Sequence, residues 1–391
     1  MKNTIRLTQF DANLVHVPPI AIFFEFRKQI DIDQLYVSIL KTLKLFPTFS
    51  ARFLDDGEYF LCYVPDYFGF TVLESSDSQL SSSLHRNTTF ESLKILGIPA
   101  TIEQPVLNIF LVQKANGSQL TINLSHGVGD GASLKFFTIQ LFCFLKKQDS
   151  HIIPSSQRNF NLEEFNKTID SQLTYKNHQV VLRDCSFRSG YFNEFILSFD
   201  KIKNIYQQMC LDIYIEKGSL KLHDALASFL LKSLISSLNY NNEEINVLIP
   251  IDIRNLFYPL DSYYIGNGFI EAFYSWKYEE LLSLDKVKLA MQIRQTLRKF
   301  SDPMFINNKV KMAETGLNLQ EFNKEEVYSF AYDEFIGLTS LGRLDSILSL
   351  SGSEKIGIIA DNSYSIATFR INRDYIINIA SPQKLPTHDL L

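Results

Sequence analysis

Hydrophobic and polar positions recur with two different periods along the 391-residue chain, and the two periods alternate from end to end. AIFFEF (21–26) is a short apolar run that predicts a strand. Over 30–53 the period lengthens. Ile32, Leu35, Ile39, Leu43 and Phe46 recur at helical spacing, Asp31 or Asp33 can cap the start, and Pro47 predicts the stop. The runs at 57–65, 105–114 and 119–126 predict strands, the last two joined by the turn residues ANGS. ASLKFFTIQLFCFLKK (132–147) carries apolar residues almost all round and predicts a buried helix.

Residues 148–185 are polar and weakly periodic, which predicts a connection between domains. The pattern then restarts with a strand at 191–199 and helices at 200–209 and 223–239. A central strand is predicted at 245–254, a helix at 287–300, and strands at 355–361, 365–371 and 375–380. Residues 66–104 and 302–335 read as variable loops, and the final SPQKLPTHDLL as a loose terminus. Strands and helices alternating over the whole length place the chain in the α/β class. The length and the polar stretch predict two domains, 1–165 and 191–391, with 166–190 as the connection.

Composition narrows the function classes. Hydrophobic residues make up 46% and charged residues 21%, ordinary globular usage that argues against disorder. Net charge is −5 and there is no Lys/Arg-dense run, so nucleic acid is not an expected partner. The longest apolar runs, such as 20–26 and 229–235, fall well short of the ~20 residues a membrane span needs. MKNTIRLTQFDANLVHVPP shows no apolar signal region, so a cytoplasmic location is expected. Cys62, Cys143, Cys185 and Cys210 are scattered, with no metal-ligand spacing; reduced thiols and no metal site are expected.

The sharpest local feature is SHGVGDG (125–131). A regular strand runs into His126, glycines follow at 127, 129 and 131, Asp130 lies between the last two, and the predicted buried helix begins at once. Glycines allow close approach and backbone angles that side chains forbid, so the imidazole stands on a tight connection where it can project into a cleft. Asp130 is in position to cap the following helix. A neutral imidazole suits removal of a proton near neutral pH.

SHGVGDG resembles the active-site segment of the BAHD-type acyl-CoA-dependent acyltransferases, a family related to chloramphenicol acetyltransferase and to the condensation domains of peptide synthetases. Further stretches resemble the same family in the same order. They are LTQFDANLVHVPPIAIFFEF with the helix ending LKLFPTFSARF, then HDALASFLLKSL, then IPIDIRNLFYPLDSYYIGN (249–267) with Asp252, Arg254, Gly266 and Asn267. The family's carboxyl-terminal Asp-Phe-Gly-Trp-Gly signature is absent. The single Trp is Trp276, and TSLGRLD near residue 340 is closer to the Ser/Asn-x-Gly turn of the alcohol-acetyltransferase and condensation branches.

The resemblance implies two chloramphenicol-acetyltransferase-like domains, each a mixed β-sheet flanked by helices, with an active-site channel between them. It implies transfer of an acyl group from acyl-CoA to a hydroxyl or amine of a small molecule by a monomeric enzyme without a tightly bound cofactor. His126 would be the general base, with no acyl-enzyme. Asp130 would turn away from the cleft to pair with Arg254 and, with Gly131, support the loop. Thr339 and Ser340 are candidates for the oxyanion donor, and Asn267 for lining the channel. The alternative is a condensation-like or catalytically silent relative. Such domains usually show a doubled His, whereas Ser125 precedes His126 here.

Overall fold

The computed structural model describes residues 4–6, 14–15, 19–55, 59–63, 68–75, 88–89, 105–149, 191–212, 219–237, 244–256, 262–307, 335–360 and 364–381, together with Asp11, Ile152 and Pro154. The expected connection at 166–190 lies outside them.

Three sheets organise the chain. A small antiparallel sheet joins β1 (Thr4–Arg6), β4 (Tyr59–Tyr63) and β3 (Ala51–Asp55). A mixed five-stranded sheet contains β2 (Ile20–Phe26), β5 (Gly69–Ser75), β7 (Leu107–Lys114), β8 (Gly117–Leu124) and β13 (Lys355–Ala360), in the order β13-β2-β8-β7-β5. A mixed seven-stranded sheet contains β6 (Thr88–Thr89), β9 (Tyr191–Ser198), β10 (Glu244–Asp252), β11 (Phe269–Lys277), β12 (Phe335–Arg343), β14 (Tyr364–Ile371) and β15 (Asp374–Ser381). Its order is β11-β10-β12-β14-β15-β9-β6. This is an α/β fold of two mixed sheets flanked by helices, and the sheets do not respect the halves of the chain. β13 pairs with β2 of the first half, and β6 of the first half pairs with β9.

The helices cover the outer faces. In the first half, α1 (Ile32–Leu43) is capped by the Asp31 carboxylate, which accepts the Gln34 N–H at 2.9 Å. It stops at Leu43, four residues before Pro47; the proline instead opens the 3₁₀ turn Pro47–Ser50 that seats Phe49 beside Phe46. Helix α2 (Gly131–Leu145) packs Phe137 on both rings and Phe142 on Phe24. In the second half, α3 (Phe199–Asp212) follows β9, and α4 (Leu222–Ser237) and α6 (Lys286–Phe300) cover the seven-stranded sheet, with the short α5 (Tyr278–Ser283) leading into α6. Leu226, Leu230, Leu289 and Ile293 close a core over Val247, Ile336, Leu338, Ile366 and Ile379.

The opposite face of that sheet turns toward the first half, where Ala367, Phe369 and Ile376 join the first-half core. Strand β8 shows what this does. Leu120, Ile122 and Leu124 pack with α2's core, and period-2 alternation would leave Gln119, Thr121 and Asn123 in water, yet all three are buried. The second sheet covers them. Phe23, paired with Thr121, meets Phe192 of β9 edge-on at 6.0 Å, and the Asn378 side chain of β15 accepts the Ile358 N–H of β13 at 2.8 Å.

Six strands lie where the sequence pattern predicts none: β1, β3, β5, β6, β11 and β12. Strand β12 falls on a turn-like stretch, yet β10 and β14 pair with it on both sides and a bulge between Ser340 and Arg343 absorbs Gly342, at φ 67°. Helix α7 (Asp345–Ser351) follows directly and packs against α2, with Leu344 and Ile347 in the first-half core.

The strand exchange depends on Gly357, which lies opposite Phe23; a Cβ there would fall 2.0 Å from the Phe23 ring. Gly357→Ala should therefore destabilise by ~1–3 kcal/mol, the cost of overpacking. Phe23→Leu in the same chain should recover part of that loss. Denaturant unfolding of the single and double variants measures both, and a Gly357→Ala loss that Phe23→Leu deepens would argue against this register.

Candidate active site

The loop after β8 leaves the five-stranded sheet and turns back into α2 within six residues, from Ser125 to Asp130. Ser125 starts the turn: its carbonyl accepts the Val128 N–H at 3.2 Å and its hydroxyl the Gly127 N–H at 3.3 Å. None of the three loop glycines takes positive φ. They are needed for closeness. A Cβ on Gly127 would fall 2.7 Å from the Phe53 ring, and one on Gly131 would fall 2.4 Å from Leu341 Cδ2 of β12.

Asp130 is the N-cap of α2, its Oδ1 accepting the Ser133 N–H at 2.9 Å. The same oxygen takes the Arg254 Nη2 at 2.8 Å, and Oδ2 takes the Gly268 N–H at 3.0 Å. Arg254 is 3% exposed and Asp130 6%, so both charges are withdrawn from water. Every arm of the guanidinium is engaged. Nε donates to the Tyr264 carbonyl at 3.1 Å, Nη1 to Asp252 Oδ1 at 3.2 Å and the Gly268 carbonyl at 3.3 Å, and Nη2 also to the Gly266 carbonyl at 3.0 Å. Ser133 Oγ completes the knot by bonding the Gly266 carbonyl and N–H at 2.8 and 3.0 Å. Burial alone would raise the Asp130 carboxyl, but the Arg254 charge and the Ser133 and Gly268 N–H groups hold it below the usual carboxylate range. Burial likewise disfavours the Arg254 charge, and Asp130 with Asp252 more than offsets it.

His126, two residues beyond the strand end, is half-buried. Nδ1 is enclosed and has no hydrogen-bond partner among the described residues. Burial pushes the imidazole down to about 4, against a smaller upward pull from Asp130, so the ring is neutral near pH 7. Asp130 makes no hydrogen bond to this ring; its oxygens are taken by Arg254, Ser133 and Gly268. The His126 carbonyl accepts from Asn267 Nδ2 at 2.6 Å.

Among the remaining candidates, Thr339 and Ser340 are consecutive on β12 and therefore point to opposite faces. Thr339, half-buried, pairs with Ala367 on the face that looks at the first half. Ser340 is exposed and pairs with Thr368 on the other face. Sequence reading missed Ser133, Tyr264 and Gly268. A serine three residues after a capping Asp was the one available signal for Ser133; Tyr264 and Gly268 act through backbone groups, which leave none. Among the described residues, no cluster of His, Cys, Asp or Glu could hold a metal ion, and no helix is long and apolar enough to cross a membrane.

The model of the Transferase family matches residues 1–341. The chain belongs to this family, the BAHD-type acyltransferases. No curated protein matches it in sequence. Solved structures share the fold at low identity. TRI101 of F. sporotrichioides, complexed with coenzyme A and T-2, is 14% identical with a TM-score of 0.71, over 96% of this chain and 94% of that one. Vinorine synthase is 17% identical with a TM-score of 0.64, over 98% and 92%. The epimerization domain from the third module of tyrocidine synthetase B is 13% identical with a TM-score of 0.60, over 98% and 92%.

Two measurements test this family member's site. Asp130→Ala and Arg254→Ala should each cost ~3–5 kcal/mol, because each strands a buried charge, and the double variant should cost clearly less than the sum. Strict additivity in a double-mutant cycle would mean that the two side chains do not interact. For His126, the folded value of about 4 lies below the ordinary 6.5, so only the unfolded chain binds a proton between those pH values. Stability is therefore lost as pH falls through that window, by ~1–2 kcal/mol at pH 5. His126→Gln should lose correspondingly less stability between pH 7 and pH 5 than the unaltered chain; equal losses would contradict the enclosed neutral ring.

Proposed function

We propose that the protein transfers an acyl group from an acyl-CoA thioester to a hydroxyl or amine of a small molecule, with His126 as general base and no acyl-enzyme. The observation that carries this reading is His126 itself. It is a neutral imidazole at a strand end whose backbone and loop are pinned by Asn267 and by the Asp130–Arg254 pair. Membership of the acyltransferase family supports the reaction class. The TRI101 crystals that hold coenzyme A together with T-2 or deoxynivalenol support the donor.

The step balances within this set. As the acceptor oxygen or nitrogen attacks the thioester carbonyl, its proton passes to the accepting nitrogen of the neutral His126 ring. The tetrahedral intermediate then collapses, the C–S bond breaks, and the imidazolium returns the proton to the departing thiolate, giving free CoA and the acylated acceptor. The thioester is already activated, so no nucleophilic side chain is required. Cys143 is buried within α2 and takes no part. Thr339, facing the first half from β12, is the hydroxyl we assign to the oxyanion. Ser125 stands where condensation domains usually carry a first His, which favours free CoA as donor over a carrier-bound substrate.

His126→Ala should keep the fold and lower thiol release from acetyl-CoA, with pooled alcohols and amines as acceptors, by ~10²-fold or more. Activity within about threefold of the unaltered protein would remove His126 from the base role, since a lost base costs at least ~10²-fold.

A further inference from the structure

Asn267 does more than end a turn. Its amide nitrogen has two hydrogens, and each has an acceptor: the His126 carbonyl at 2.6 Å and Asp11 Oδ1 at 2.7 Å. Two acceptors on one nitrogen fix the amide's orientation, because a flipped amide would set its oxygen against two other oxygens. Asp11 is 2% exposed and comes from the amino-terminal segment, 256 positions before Asn267. Three distant pieces of chain therefore meet at the backbone of one residue. Val15, from the same segment, lies beside Gly127, the next residue of the loop; a Cβ there would fall 2.9 Å from Val15 Cγ2.

The geometry constrains His126 at two separate places. The Asp130–Arg254 knot holds the loop four residues downstream, where α2 begins. It bonds no atom of the His126 peptide itself, but through Gly266 and Gly268 it holds the backbone on either side of Asn267. That peptide is held by Asn267, and Asn267 is aimed by Asp11. A rotation of this peptide would carry the ring with it, and reaction geometry tolerates little: a displacement of ~1 Å can cost ~10²-fold.

We propose that Asp11 is a positioning residue for the His126 ring, acting through Asn267 on the His126 carbonyl. Its relevance to catalysis rests on the assignment of His126 as the base. What Asp11 supplies is an acceptor oxygen in the right place, and its charge is not the requirement. Asp11→Asn keeps an acceptor there; Asp11→Ala removes it.

The test reads the ring directly and needs no acceptor substrate. Diethyl pyrocarbonate acylates neutral imidazole, and mass spectrometry of the peptides gives separate labelling rates for His126 and for His223, which sits on α4 away from this loop. In Asp11→Ala and Asn267→Ala, His126 should label at a rate altered by about fivefold or more, the equivalent of ~1 kcal/mol of local opening, while His223 stays within about twofold. Asp11→Asn should label His126 like the unaltered protein. Unaltered His126 labelling in Asp11→Ala would overturn the proposal. So would equal changes at His126 and His223, which would indicate general loosening, and so would an Asp11→Asn variant as disturbed as Asp11→Ala, which would make the charge the cause. The thiol-release assay on His126→Ala decides the base assignment separately, so failure of one idea is not mistaken for failure of the other.

Discussion

Two buried charges, Asp130 and Arg254, set the condition that the rest of the molecule has to meet. A carboxylate and a guanidinium taken out of water cost several kcal/mol each, and their attraction compensates only when every remaining polar group is satisfied. Here the required partners come from both halves: Ser133 from α2, and the carbonyls of Tyr264, Gly266 and Gly268 with the Gly268 N–H from the second half. A partial assembly leaves a charge stranded. The pair therefore favours only the arrangement in which loop 125–131 and segment 264–268 are docked. Gly268 shows how tight the fit is, since a Cβ there would fall 2.6 Å from Arg254 Cζ. Substitution of that glycine would displace the guanidinium before it touched any substrate.

Docking is reinforced where no charge is involved. Strand β13 crosses to pair with β2, β6 crosses to pair with β9, and residues 341–347 pack on α2. Lys135 adds a bond from α2 to the Arg343 carbonyl at 3.0 Å. Strand β13 and residues 341–347 bury apolar surface in the first-half core that neither half could bury alone, so the halves share one stability. Thr339 lies on the face of the seven-stranded sheet that turns toward the first half, the half whose loop after β8 carries His126.

Legibility in the sequence followed the source of each signal. Helix α1 could be read because Asp31 and the Leu35–Ile39–Leu43 stripe are local, and the β7–β8 hairpin because ANGS separates two regular runs. Pro47 misled: it begins a 3₁₀ turn, and the helix had already ended. Strand β12 was illegible because Gly337, Thr339, Ser340 and Gly342 read as turn residues; only pairing on both sides makes them a strand. The buried polar face of β8 was illegible for a related reason, since alternation cannot say whether a second sheet lies above it. Within the site, His126 and Asp130 stand out by spacing. The link from Asp130 to Arg254, 124 positions apart, came through family resemblance alone, and nothing in the spacing of Asp11 and Asn267 points to a shared carbonyl.

The role given to Asp130 also accounts for the state of His126. A carboxylate bonded to the imidazole would favour the protonated ring and lift its pKa. Here Arg254 neutralises that carboxylate and turns it into the fold, and burial then dominates, leaving the ring at about 4. A ring with so low a value is a modest base but is wholly in its accepting form at neutral pH. That suits a proton passed to the ring during attack and handed on to a thiolate, and does not suit long storage of an imidazolium. In the proposed base role the carboxylate serves by leaving the ring alone, and orientation falls to the backbone, through the amide that grips the His126 carbonyl.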